Sequence, residues 1–130
     1  MYNIFLIKRD VRYPDGSFRS TPNNDLFFYK TETDMNRGWS KLNMKPVPGS
    51  SLCSNHRSFI EMDATRRPET IYGFIMELEF DDNDFYWTTE DGLFIFNTKE
   101  ERDETYDEMN SPGVRLTKFD KPYSTLKSTF

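Results

Sequence analysis

The fold is decided by residues 71–80, which read IYGFIMELEF. Side chains two positions apart in a β-strand point to the same face of a sheet. One face of this segment is therefore entirely apolar, and consists of Tyr72, Phe74, Met76, Leu78 and Phe80. The other face begins with Ile71 and Ile75 and becomes acidic at Glu77 and Glu79. This pattern predicts a strand with one apolar face and a second face that turns acidic at its end.

Two short apolar segments follow, and a turn precedes each of them. The acidic turn Asp81–Asp84 leads into a predicted strand at 85–88, and a second turn, ending in Gly92, leads into a predicted strand at 93–96. Asp, Asn and Gly favour turns because their side chains bond the local backbone or permit positive φ angles. Three consecutive strands with short connections predict an antiparallel β-meander.

A helix is predicted after the meander. Thr98 and Glu101 have the spacing of a capping box, in which the threonine hydroxyl accepts a hydrogen bond from the amide three residues on. Residues 110–113 read NSPG and end the helix, because proline and glycine interrupt helical structure. A further strand is predicted at 114–119.

The N-terminal half gives a weaker pattern. Strands are predicted at 2–8 and 26–30, a helix at 33–42, and a long loop at 43–56 that is rich in proline and serine. No internal repeat is visible. We predict a single globular domain over 1–130 of the α+β class. Its mixed, mainly antiparallel sheet contains the C-terminal meander followed by helix and strand, with one or two helices on one face.

The composition favours a folded intracellular protein. A chain of 130 residues suits one domain, and twelve Phe, seven Tyr and two Trp supply large rings for a core. No segment has the length or the flanks of a signal peptide or a membrane span. Cys53 is the only cysteine, so no internal disulfide can form. We expect a cytoplasmic protein without membrane association.

Several chemistries lack the residues they need. His56 is the only histidine, and together with Cys53 it falls short of the roughly four ligands of a zinc site. The glycines form neither a phosphate-binding loop nor a dinucleotide fingerprint. The Asp81–Asp84 segment lacks the spacing of a calcium loop and is better interpreted as a turn. We predict no cofactor and no metal. Carboxylates brought together by the fold leave no motif, so a carboxylate- or Mg²⁺-dependent enzyme stays open as an alternative.

Negative charge is concentrated in residues 77–108. This segment contains two basic and thirteen acidic residues, a balance of −11 in a chain whose net charge is −5. Glu100, Glu104 and Glu108 are spaced four apart on the predicted helix, where like charges repel. A solvated face that aids solubility would have the same pattern. A negative surface also selects positively charged partners and accelerates their association.

The predicted partner-binding surface combines these acids with two aromatic residues that lie between the acidic turns. It consists of Asp81, Asp82, Asp84, Tyr86, Trp87, Glu90, Asp91, Glu100, Glu101, Asp103, Glu104, Asp107 and Glu108. Tyr86 and Trp87 point to opposite faces of their strand, so we expect one to lie in the core and the other to be an exposed anchor. Aromatic side chains of this kind are frequent interface hot spots.

We therefore predict a non-catalytic protein-binding module, acting as an inhibitor, adaptor or regulator on a basic protein surface. Nucleic acid is disfavoured because phosphate contacts dominate that affinity and an acidic patch repels phosphate. A structural subunit of a larger assembly, such as a virion, is a second alternative. The composition, with a single Ala and many Phe, Tyr and Asn, resembles that of small accessory proteins of viruses with AT-rich genomes, which implies a viral origin.

Overall fold

The structure is a computed structural model that describes residues 1–80 and 84–124. The central residues of the predicted acidic turn, 81–83, lie outside the described residues. The described elements, in chain order, are β1 Tyr2–Arg12, β2 Phe18–Arg19, α1 Pro22–Asp25, β3 Leu26–Tyr29, α2 Glu32–Met44, β4 Leu52–Met62, β5 Thr70–Phe80, β6 Asp84–Tyr86, β7 Leu93–Phe96, α3 Lys99–Met109 and β8 Arg115–Pro122.

The strands form two antiparallel sheets, which confirms the predicted α+β class. In the first sheet β1 pairs with β2, β3 and β4, and in the second sheet β5 pairs with β6, β7 and β8. The arrangement differs from the expected single sheet. It also differs from a meander, because β7 pairs with β5 and not with β6. After the 90–92 turn the chain therefore pairs with β5 again, next to the part of β5 that β6 leaves free.

The predicted loop at 43–56 is much shorter in the structure. Helix α2 extends to Met44 and β4 begins at Leu52, so the turn-forming residues occupy only 45–51. Cys53 and His56 consequently lie in a strand. Serine and asparagine have low intrinsic strand preference, but pairing with a partner strand overrides such preferences. Here β4 pairs residue by residue with the whole of β1.

The two sheets pack face to face. Ile4 and Leu6 of β1 and Phe28 of β3 meet Ile75 of β5 and Phe119 of β8 in one continuous apolar cluster, in which each of these residues is at most 4% exposed. The rings of Phe28 and Phe119 stack at 5.7 Å between centroids. Burial of these large side chains from both sheets is the main contribution to the stability of the fold.

Each sheet carries one of the two long helices on its outer face, so the protein has four layers. Helix α2 covers the first sheet with Met35 and Leu42, which pack with Ile7 of β1. Helix α3 covers the second sheet, and Tyr106 meets the ring of Phe74 edge to face at 5.8 Å. Strand β5 is therefore apolar on both faces along most of its length. The face with Ile71 and Ile75 is the core face, and among its described side chains Glu77, at its end, keeps part of its surface exposed.

The two halves of the chain form an internal structural repeat. Phe5 pairs with Tyr29 in the first sheet and Tyr72 pairs with Phe96 in the second, and both members of the second pair lie 67 positions after those of the first. The same shift relates every pair of β1 with β2 and β3 to a pair of β5 with β6 and β7. The final strands, β4 and β8, occupy equivalent places against β1 and β5.

The turns and helix caps follow the same repeat. The hydroxyls of Thr31 and Thr98 cap α2 and α3 by accepting from the amide three residues on, in both cases at 3.1 Å. The hydroxyl of Thr21 makes the same bond at the start of α1, before β3, and the hydroxyl of Thr88 makes it at the start of the turn before β7. The repeat is thus encoded in backbone-capping residues as well as in strand pairing.

Lys121 ties the second sheet to the first. Its Nζ donates to the carbonyl oxygens of Pro22 at 2.5 Å and Leu26 at 2.6 Å, at either end of α1. Burial lowers the pKa of Lys121 to about 8, although the carboxylate of Asp25 acts in the opposite direction. A partly buried amine that bonds two backbone carbonyls in this way fixes the position of β8 beside α1.

Replacing Phe74 by alanine should lower the free energy of unfolding by about 3–5 kcal/mol, because the deletion leaves a cavity in the core. Phe74 is fully buried and stacks on Phe94 and Phe96. Denaturant unfolding would measure the change. Leu78→Ala on the same strand is the matched control; Leu78 is 49% exposed, so we expect a loss of about 0.5 kcal/mol or less. Equal effects of the two substitutions would place Phe74 outside the core.

The stability of the protein should depend on Lys121 in alkaline solution. Folded Lys121 loses its proton near pH 8, whereas in the unfolded chain the amine keeps its proton up to the ordinary value of 10.5. The unfolded state therefore binds more protons between these values, and the contribution of Lys121 to the free energy of unfolding rises with pH across this window. The difference between wild type and Lys121→Met, measured by chemical unfolding from pH 7 to 10.5, should grow above pH 8 in favour of wild type. Parallel pH profiles would contradict this assignment.

Candidate functional site

Helix α3 holds most of the predicted partner-binding residues that the structure describes. It begins immediately after β7, and the hydroxyl of Thr98 caps its first turn as the sequence predicts. Glu100 and Glu101 occupy that first turn, where the positive end of the helix dipole stabilises carboxylates. The cap and the short connection fix the direction in which the helix crosses the second sheet.

Arg102 anchors this helix to the sheet. Its side chain is 3% exposed, and its guanidinium donates to the carbonyl oxygen of Phe119 at 2.8 Å and to Asp120 at 2.6 Å. It also donates to the carbonyl oxygen of Gly73 at 3.3 Å. Charge-assisted hydrogen bonds of this kind are stronger than neutral ones. Arg102 occupies the position that Met35 holds in α2, where an apolar side chain packs against the sheet.

Asp103 is a carboxylate that the fold itself uses. It accepts from Arg102 at 2.8 Å and pairs with Lys118 at 3.1 Å. These hydrogen bonds hold the pKa of Asp103 below its ordinary value. Asp103 was predicted to contact a partner, but its charge is already balanced within the protein.

The remaining acids of α3 face solvent. They are Glu100, Glu101, Glu104, Asp107 and Glu108, which we call the acidic face. Within residues 1–80 and 84–124 none of the five forms an ion pair. Residues four apart on a helix lie on the same side, so Glu100, Glu104 and Glu108 form one line along it.

The internal repeat supplies a reference for this charge. Helix α2 has the equivalent position on the first sheet, and its two acidic residues are balanced by Arg37 and Lys41. Helix α3 has six acidic residues against Lys99 and Arg102, a balance of −4. The two helices follow equivalent strands, cover equivalent sheets and begin with the same type of cap. The fold therefore does not require an acidic helix at this place.

The other predicted site residues are not all part of this surface. Glu90 and Asp91 are exposed in the turn before β7. Asp81 and Asp82 lie outside the described residues, and the side chain of Asp84 lies outside the described side chains. Trp87 is 2% exposed, and its indole N–H donates to the carbonyl oxygen of Ser20 at 2.9 Å. It belongs to the core between the sheets and offers no surface to a partner.

Tyr86 lies beside a charged cleft between the sheets that we did not predict. Lys8 is 3% exposed, forms an ion pair with Asp10 at 2.8 Å, and donates to the carbonyl oxygen of Trp87. Its ammonium lies over the rings of Tyr86 and Trp87, at 4.6 and 4.4 Å from their centroids. Burial raises the pKa of Tyr86, and the carboxylates of Asp10 and Glu90 add to the increase.

His56 completes this cleft, which has a volume of about 300 Å³. Its Nε2 lies 3.0 Å from Asp10, and an imidazole oriented by a carboxylate is a group that can transfer protons. However, Asp10 serves both Lys8 and His56, and Lys8 in turn holds the 86–87 segment against β1. We assign this network to the fold. The predicted strand ends at Lys8, whereas β1 continues to Arg12 and so brings Asp10 into the cleft.

Neither a metal centre nor a membrane span is found in the described part of the chain. No group of three or more His, Cys, Asp or Glu side chains there is arranged to hold a metal ion. None of the helices in those ranges is long and apolar enough to cross a lipid bilayer. Comparison of the chain with protein-family models, with curated proteins and with solved structures found no match in any of the three. The first half of the chain therefore serves as the structural reference for the second half, in which α3 lies.

Arg102→Met should destabilise the protein by about 2–3 kcal/mol. Methionine fits the helix, as Met35 does in α2, but the carbonyl of Phe119 would lose its buried donor and Asp120 its charged partner. Thermal and denaturant unfolding would measure the loss. Lys118→Met is the control; it removes an exposed ion pair with Asp103 and should change stability by at most about 1 kcal/mol. An unchanged melting temperature for Arg102→Met would show that Arg102 does not anchor α3.

Proposed function

We propose that this protein is a non-catalytic binding module whose acidic face on α3 engages a basic surface of a partner protein. As an inhibitor, adaptor or regulator it needs no reaction chemistry. Its requirement is a rigid negative surface, and α3 is held rigidly by its threonine cap and by the buried Arg102.

One observation carries the proposal. Five exposed carboxylates without ion pairs in the described residues lie on α3, while the equivalent helix α2 is neutral. Each helix covers its own sheet, and the two sheets have the same topology. The difference in charge between the helices therefore does not come from the fold. A surface that only needed to be soluble would be served by the mixed charges of α2.

The charge also works against the stability of α3. Its last turn contains Asp107 and Glu108 and no basic residue, although the negative end of the helix dipole favours cations. Glu100, Glu104 and Glu108 repel one another at a spacing of four, by roughly 0.2–0.5 kcal/mol per pair. Surface charges that reduce stability are typical of functional sites.

The geometry defines the partner by its chemistry. Residues four apart on a helix are about 6 Å apart along its axis, a spacing that suits a line of lysine or arginine side chains. Unpaired carboxylates at the surface accelerate association with such a surface and disfavour acidic competitors. Strong salt dependence follows, because surface charges are screened within roughly 8–10 Å at physiological ionic strength.

Replacing Glu100, Glu104 and Glu108 together by glutamine should abolish partner capture and leave the fold intact. Glutamine keeps the helix preference of glutamate, and relief of the repulsion should raise the free energy of unfolding by up to about 1 kcal/mol. The measurement is affinity capture from the native cell with wild-type and variant baits, followed by quantitative mass spectrometry and a melting curve for each bait.

The matched control is the set Glu32→Gln, Asp63→Asn and Glu69→Gln, which removes three exposed carboxylates away from α3. We expect basic proteins to be lost from the α3 variant and retained by the control. Equal capture by both variants would show that the acidic face only keeps the protein in solution.

A further inference from the structure

Strand β4 has a long edge without a partner strand in the described part of the chain. It pairs with β1 along one edge, from Leu52 to Met62, and the register runs one to one without a bulge. Its other edge therefore presents backbone N–H and C=O groups that no strand of the described residues pairs with. Such an edge is a template for a further strand unless the protein protects it.

The repeat again supplies a matched reference. Strand β8 is the equivalent edge of the second sheet and reads RLTKFDKP, with charges or proline at five of its positions. Lysine, other charges and proline are the usual protection of an edge strand. Strand β4 has only Arg57 and Glu61 as formal charges, and it exposes Phe59 to 63%. The charged and proline residues that protect the edge of β8 in the second sheet are thus largely missing from β4 in the first.

The available part of this edge is residues 56–62. At the preceding residue, Asn55, the carbonyl oxygen already accepts a hydrogen bond from the indole N–H of Trp39 at 3.1 Å. This carbonyl is therefore not available to a further strand. Phe59 lies on the α2 side of the sheet, against Phe5 at 6.4 Å between ring centroids. Arg57 lies on the same side, with its guanidinium 4.0 Å from the centre of the Trp39 ring.

We propose that residues 56–62 pair in antiparallel register with the same residues of a second copy of this chain. The two-fold axis passes through Phe59, so that Phe59 lies opposite its own copy. Arg57 of each copy then lies opposite Glu61 of the other, on the same side of the sheet. Two opposite-charge pairs flanking an aromatic pair are favourable cross-strand neighbours.

Charge complementarity selects this occupant and this register. An axis at Arg57 would place the two arginines opposite each other, which is unfavourable. The axis at Phe59 removes that repulsion and covers the most exposed aromatic side chain of the strand. A two-fold contact between identical edges is self-complementary and closed, so it yields a dimer and not a fibre. The first sheets of the two copies become one continuous sheet.

The oligomeric state of charge variants tests this register. Sedimentation equilibrium of the full chain at high micromolar concentration should give the mass of two chains. Arg57→Glu and Glu61→Arg should each give one chain, because both place like charges opposite each other, and the double swap R57E/E61R should restore two. Lys99→Glu on α3 is the control for a charge change equal to that of Arg57→Glu and should remain dimeric. A monomeric wild type, or single variants that stay dimeric, would overturn the proposal.

A cross-link tests the axis independently of stability. In a Cys53→Ser background, Phe59→Cys should form a disulfide-linked dimer on mild oxidation, since the two positions face each other across the axis. Glu61→Cys in the same background should cross-link far less, because it faces Arg57. Phe59 is exposed, so its replacement leaves the core intact. Equal cross-linking at both positions, or none at Phe59→Cys, would exclude this pairing.

Discussion

The whole arrangement depends on the packing of two four-stranded sheets against each other. Ile4, Phe28, Ile71, Ile75 and Phe119 lie between them and are almost completely buried. Because the inner faces of the sheets are occupied by each other, they are not available to a partner. Lys121 and Lys8 reinforce this contact through hydrogen bonds to the carbonyl oxygens of Leu26 and Trp87. The acidic face and the open edge of β4 both result from the same packing.

The correspondence between the halves separates what the fold requires from what it does not. Thr31 and Thr98 cap equivalent helices, and Leu26 and Leu93 lie in the same cluster between the sheets. These shared features are sufficient to build a strand, a turn and a covering helix. The departures are Arg102 in place of Met35, the acids of α3, and the edge of β4, which has fewer charges than that of β8. Since the same topology exists without them, the fold alone does not account for these departures.

The sequence predicted the elements whose signals are local. Residues 71–80 form a strand, Phe74 is buried and Thr98 caps a helix, because alternation and capping depend on neighbours in the chain. It failed where the decisive contact is distant. Strand β4 is polar at 54–56 and forms because β1 lies beside it. The repeat was missed because few residues are identical between 4–44 and 71–111, among them Thr31 and Thr98. The sequence left open which of Tyr86 and Trp87 is buried, because nothing local reveals that Ser20 accepts the indole N–H of Trp87.

The central claim is that α3 recognises its partner through charge. Its most direct test is the association rate constant of the captured partner, measured by stopped-flow or surface-based kinetics over a range of ionic strength. Surface electrostatics predict a rate constant that falls steeply as salt is added, with a much smaller change in the dissociation rate. An association rate that does not respond to salt would contradict the account, since the carboxylates of α3 would then take no part in recognition.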